Sequence, residues 1–146
     1  MNEEFFASVY NKALDIISRR EHSEKEIKNK LLKKFDTSEI IDEVILKLIE
    51  NNLINNFRYA QMYVHVRKRK GFGPMKIQFE LMTRGINDSI SSIAISEEGS
   101  WKEAAQIAFN KKFKNGASND FNERYKQKSF LRNRGFSFEE IDSVFG

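Results

Sequence analysis

Cysteine is absent from the 146 residues, which excludes disulfides and thiolate chemistry and points to a reducing compartment. Proline occurs once and glycine seven times, so little in the chain interrupts helices. No apolar run approaches the roughly 20 residues that span a bilayer. The opening stretch starts acidic and turns amphipathic, whereas a secretory signal starts basic and then runs apolar. A cytoplasmic location is therefore expected. The two histidines, His22 and His65, lie far apart, with no metal-ligand spacing to each other, so no metal site is expected. Lys70-Gly71-Phe72-Gly73-Pro74 lacks the Gly-Lys-Ser/Thr end of a phosphate loop and reads as a joint between helices. No strand is predicted to carry a nucleophile or a dinucleotide fold. No catalytic residue and no cofactor are expected, and the chain reads as a binding protein, not an enzyme.

What is present is helical periodicity. Phe6, Val9, Ala13, Ile16 and Ile17 share one face; Ile27, Leu31 and Phe35 form a second stripe; Ile41, Val44, Ile45, Leu48 and Ile49 form a third. These predict helices near 4–20, 23–35 and 38–52. Ser23 with Glu26 forms a capping box, and Thr37 or Ser38 can cap the next helix. The middle of the chain repeats the plan. A helix with Phe57, Ala60 and Val64 ends at Gly71, Pro74 opens a helix with Ile77 and Leu81, Gly85 closes it, and Asn87 caps a third. In the last third, Ser100 with Glu103 reads as a capping box ahead of Trp101, Ala104, Ala105 and Ala108. A helix from Asp120 to Arg134 ends at Gly135, and Ser137 with Glu140 caps the last.

Leu31, Leu81 and Leu131 stand in matching places, with Lys34, Arg84 and Arg134 three residues on. Ile40, Ile90 and Ile141 follow. This is an internal repeat of about 50 residues. The expected fold is all-α: three tandem three-helix repeats, residues 1–53, 54–97 and 98–146, in an elongated array able to curve. Each unit alone has a thin core and needs its neighbours.

Net charge is +4 and unevenly spread. Residues 1–52 hold nine Lys/Arg against eleven Asp/Glu, and residues 53–96 hold seven against two. Arg67, Lys68, Arg69 and Lys70 close one helix, and Lys76 and Arg84 follow across the loop. A second basic set is Lys111, Lys112, Lys114, Arg124, Lys126, Lys128, Arg132 and Arg134. Such patches suit a polyanion or an acidic protein groove; the bland alternative is solubility. Arg84 and Arg134 read equally as structural caps. Phe72, between two glycines, is placed either as an exposed ring or on the core. Phe121 and Tyr125 have the spacing of a buried stripe, and Arg124 and Lys128 share a face. Reversing Arg67 to Lys70 to glutamate is expected to weaken binding without unfolding.

Arg19-Arg20-Glu21-His22-Ser23-x-x-Glu26-Ile27-x-x-Lys30-Leu31 resembles the opening of the RecX family. So does Leu53 to Val64, with its Phe57-x-x-Ala60 step. Gly73-Pro74-x-x-Ile77-x-x-Glu80-Leu81-x-x-Arg84-Gly85-Ile86 resembles the family's middle repeat, and Phe130-Leu131-x-x-Arg134-Gly135-Phe136 its third. Departures are Asn55-Asn56, where the family often has an acidic residue, and Phe35, where it often has glycine. The resemblance implies a regulator of the RecA recombinase. Such a protein binds the RecA filament on DNA along its helical groove and restrains ATP hydrolysis, strand exchange and co-protease activity. That would give it a place in recombination, DNA repair and the SOS response. The basic residues above would then meet RecA, DNA or both, and a monomer is expected. The alternative is a stand-alone helical nucleic-acid-binding module acting without RecA.

Overall fold

Side chains that satisfy free backbone N–H groups set most of the helix starts. The protein is described here as a computed structural model covering residues 2–146, which form nine α-helices and no strand. They are α1 (Asn2–Ile17), α2 (Glu24–Leu32), α3 (Ser38–Glu50), α4 (Asn56–Arg69), α5 (Pro74–Thr83), α6 (Asp88–Glu98), α7 (Trp101–Lys112), α8 (Phe121–Asn133) and α9 (Phe138–Phe145). The capping boxes at Ser23/Glu26 and Ser137/Glu140 are both complete. Asn55, Asn87 and Asp120 each accept from the backbone N–H three residues on. Pro74 occupies the first turn of α5.

Two expected caps are not made. Thr37 stands at the start of α3, but its hydroxyl is buried with no hydrogen-bond partner. Ser100 precedes α7 in a left-handed conformation (φ 58°) and makes no side-chain cap. Gly99, also at positive φ, begins this tight α6–α7 joint, and the reversed backbone turns the Ser100 hydroxyl out of reach. The joint is secured instead by Trp101, whose Nε1 donates to the Ile95 carbonyl at 2.9 Å. Phe35 lies beyond the end of α2, half-buried against the first core.

The architecture is all-α, in three tandem three-helix units, each packed around its own core. The period is clear in the buried positions. Val9, Tyr59 and Phe109 are buried at intervals of 50 residues, and so are Leu31, Leu81 and Leu131. Ile41, Ser91 and Ile141 do the same, one residue after Ile40 and Ile90 in the first two units. Gln127 takes the place of Ile27 and Ile77. It is buried because its amide bonds Ser118 N–H and the Gly116 carbonyl, tying the α7–α8 loop to the core. Trp101 packs against both the second and the third core.

Neighbouring units meet through helix ends. The last carbonyls of α5 are taken by the start of α2: Ser23 Oγ donates to Arg84 O at 2.7 Å, and Lys25 Nζ to Thr83 O at 3.1 Å. The last carbonyls of α8 are taken by the start of α5: Gly73 N–H donates to Arg134 O at 2.7 Å, and Met75 N–H to Gly135 O at 2.9 Å. These groups have no partner inside their own helices, and the dipoles align head to tail. Tyr59 OH donates to Glu26 Oε2 across the first joint at 3.0 Å, and Arg58 pairs with Glu21 at 2.9 Å.

Gly73 has an ordinary backbone conformation, so contact alone requires glycine there. A Cβ on it would lie 2.5 Å from backbone atoms of Gly135 and Phe136. Gly73→Ala is therefore expected to destabilise the protein by about 1–3 kcal/mol through overpacking. Urea denaturation monitored by circular dichroism measures this.

Candidate polyanion-binding groove

The four cations that end α4 are not equivalent: Arg67 is withdrawn from the surface that the other three line. Successive residues on a helix point in different directions, and here Arg67 and Lys68 turn toward their own unit. Arg67 donates through Nε and Nη2 to both carboxylate oxygens of Glu80, each at 2.9 Å, and lies 3.9 Å from the centre of the Phe72 ring. Lys68 donates to the Gly99 carbonyl at 2.9 Å and lies 3.4 Å from Glu98. Arg69 and Lys70 are exposed. Phe72 is half-buried beneath Arg67, Lys76 and Arg134, and offers no free stacking face.

A hollow of about 350 Å³ runs between the end of α4 and α7, lined by Lys68, Arg69, Lys70 and Lys111 together with Ala104, Ile107 and Ala108. Past Lys70 and Lys111 it continues into a smaller hollow of about 180 Å³, walled by Lys112, Phe130 and Arg134. The two share Lys70, Gly71, Ala108 and Lys111, so they form one groove between the second and third units. Gly71, at φ 91°, leads the chain away from α4 in a conformation that L side chains rarely adopt, and the Arg134 guanidinium lies beside it. Arg69, Lys70, Lys111, Lys112 and Arg134 thus converge. Glu98 and Glu103 also line the larger hollow, where Glu98 lies 3.0 Å from His65 Nδ1 and 3.4 Å from Lys68 Nζ.

The remaining basic residues stand elsewhere. Arg84 belongs to the α5–α2 joint, its guanidinium over Tyr63 and its backbone carbonyl bonded to Ser23. Arg134 serves both purposes, since its carbonyl closes the α8–α5 joint while its side chain reaches the groove. Lys76 lies over Phe72. Arg124 and Lys128 do share a face, and both cover the Phe145 ring. Lys126 pairs with Glu123, Arg132 lies over Phe138, and Lys114 is exposed in the α7–α8 loop. Phe121 and Tyr125 are not a buried stripe: they are 82% and 67% exposed, because α8 turns that side away from α7 and α9 and buries Gln127 and Leu131 instead. The groove floor was legible only as core. Ala104 and Ala108 are buried small residues, and their size is what leaves the hollow, while Ile107 beside them is 67% exposed. Among the described residues no cluster of metal-ligating side chains occurs, and no helix is long and apolar enough to cross a membrane.

Three family models match in order: the RecX first three-helix domain over residues 10–48, the second over 55–95 and the third over 102–145. The chain belongs to the RecX family. A regulatory protein RecX of Pseudomonas fluorescens is 36% identical over 138 residues, 94% of this chain and 89% of that protein. Another, of Ectopseudomonas mendocina, is 34% identical over 92% of this chain and 90% of its own length. The crystal structure of RecX from Lactobacillus salivarius is similar with a TM-score of 0.83 at 26% identity, covering 98% of this chain and 96% of that one. A second regulatory protein RecX structure shares the fold, with a TM-score of 0.84 at 22% identity over 99% of this chain and 73% of that one.

Within the second unit of this RecX-family chain, the Glu80 carboxyl is held below its ordinary value of 4.5. Burial pushes it up, but the Arg67 fork and the Tyr63 hydroxyl outweigh that. Burial, reinforced by its bond to Glu80, pushes the Tyr63 hydroxyl up to about 12. A carboxyl depressed in the folded state stabilises the fold above pH 4.5, and that stability is lost as pH falls further. The stability gap between the wild type and Glu80→Gln is therefore expected to be widest near neutral pH and to shrink below pH 4.5, as followed by denaturation at a series of pH values. Arg67→Glu would set two carboxylates together, so reversing all four α4 cations tests folding as well as binding.

Proposed function

We propose that this RecX-family chain is a non-enzymatic regulator that binds RecA filaments on DNA and restrains their ATP turnover, strand exchange and co-protease activity. It acts as a monomer whose three units lie along the filament, and the groove between the second and third units receives phosphate or acidic protein side chains. The observation that supports this reading best is the convergence of Arg69, Lys70, Lys111, Lys112 and Arg134 on one hollow, within a chain whose relatives are named regulatory proteins. Six cations line this groove, Lys68 being the sixth, and exceed what helix C-termini need, since one or two suffice to balance a dipole. Arg69, Lys70, Lys111 and Lys112 are all exposed and take no part in the joints, so they can be changed without disturbing the fold.

The test combines Arg69→Glu, Lys70→Glu, Lys111→Glu and Lys112→Glu in one variant. RecA ATP turnover on single-stranded DNA is expected to be inhibited by the wild type and much less by the variant. If the four cations meet phosphates directly, the salt dependence of binding should flatten by roughly three in log–log slope, at about 0.7 per phosphate on a single strand. Equal inhibition by both proteins removes the groove from the mechanism. Tight binding to naked DNA with no effect on RecA favours a stand-alone nucleic-acid-binding module.

A further inference from the structure

Residues 1–52 are net acidic, with nine Lys/Arg against eleven Asp/Glu, and their sequence suggests no basic surface. Folding sorts these charges. Six of the nine cations, Lys12, Arg19, Arg20, Lys30, Lys33 and Lys34, line one hollow of about 470 Å³ between the end of α1 and the end of α2. Asp15 is the carboxylate in that lining. It is shared by Lys12 and Arg19, each at 3.5 Å. Arg20 pairs with Glu26 at 3.2 Å. Among the described residues, Lys30, Lys33 and Lys34 have no carboxylate within ion-pair distance.

His22 shows that one of these charges is positioned. Its side chain is 1% exposed, with Nδ1 2.9 Å from the Arg20 carbonyl and Nε2 2.7 Å from Lys30 Nζ. A carbonyl only accepts, so Nδ1 carries the hydrogen and Nε2 offers its lone pair to the ammonium. The imidazole is therefore neutral. It orients Lys30 without cancelling its charge. Burial and the adjacent Arg20 and Lys30 charges all favour this neutral form.

We propose that this hollow is a phosphate-binding site, separate from the groove between the second and third units. The lining carries six cations against one carboxylate, far more charge than a single carboxylate ligand would balance. It also includes two guanidinium groups, whose forks match phosphate oxygens. The phosphate comes from the backbone of a single DNA strand. That source, and not the site itself, rests on the proposed function.

The test uses Lys33→Glu/Lys34→Glu in the full chain. Both residues are exposed at the end of α2, so the fold is not at stake. Lys47→Glu, exposed on α3 and outside the hollow, is the control. The first measurement titrates inorganic pyrophosphate into isotope-labelled protein and follows the His22 ring and the Arg19 and Arg20 side-chain N–H signals by NMR. Saturable shifts are expected in the wild type and the control, and none in the double variant. The second is fluorescence anisotropy with a labelled single-stranded oligonucleotide at low salt and without RecA, where the double variant should bind about tenfold more weakly or worse. Pyrophosphate saturation with unchanged oligonucleotide affinity supports the phosphate site and overturns the strand as its source. No saturation and unchanged affinity overturn the proposal. Because RecA is absent from both measurements, either result stands independently of the ATP-turnover test of the groove.

Discussion

The arrangement of this molecule depends on helix ends closing one another. A helix leaves its last carbonyls and first N–H groups without internal partners, and burying them unsatisfied costs about 1–3 kcal/mol each. Here the end of α8 meets the start of α5, and the end of α5 meets the start of α2. The second helices of the three units thus run in succession, opposite to the order of the chain. Each joint satisfies groups that would otherwise need water or a separate cap. It also explains residues that make little sense within one unit: Ser23 caps its own helix and bonds Arg84, while Gly73 has no side chain because the Gly135 backbone lies against it.

Much of the fold was legible in the sequence because its signals are local. The Ser23/Glu26 and Ser137/Glu140 boxes, Pro74 and the glycines at 85 and 135 mark helix ends through chemistry confined to a few residues. Thr37 and Ser100 carry the right residue type, yet neither hydroxyl makes a cap. At Ser100 the deciding factor was the left-handed Gly99-Ser100 turn, which depends on how the second unit hands over to the third. The repeat was read from three leucines, while the fuller pattern at 9/59/109 and 27/77/127 was hidden. Substitutions such as Val9 for Phe109 and Ile27 for Gln127 change residue type while preserving burial.

The basic surface was legible as composition and not as place. Four consecutive cations look like one patch in a sequence, but a helix separates them by direction, and Glu80, distant in the chain, claims Arg67. Conversely, Lys70 and Arg134 come together because the α8–α5 joint brings them there. The first-unit hollow shows the same limit from the other side. A segment of net negative charge gathers most of its cations at one point, and a sum over residues cannot show that.

The start of α8 sets the third unit apart. Counted by the 50-residue period, Glu123 stands where Ser23 and Gly73 receive the end of the next helix, but there α8 has already begun at Phe121 under an Asp120 cap. α8 therefore starts about one turn earlier in the repeat than α2 and α5 do, and Asp120 takes the Glu123 N–H that a neighbour would otherwise approach. The two inner joints are thus closed by a neighbour, whereas this helix start is closed from within its own unit, by a single side chain three residues away.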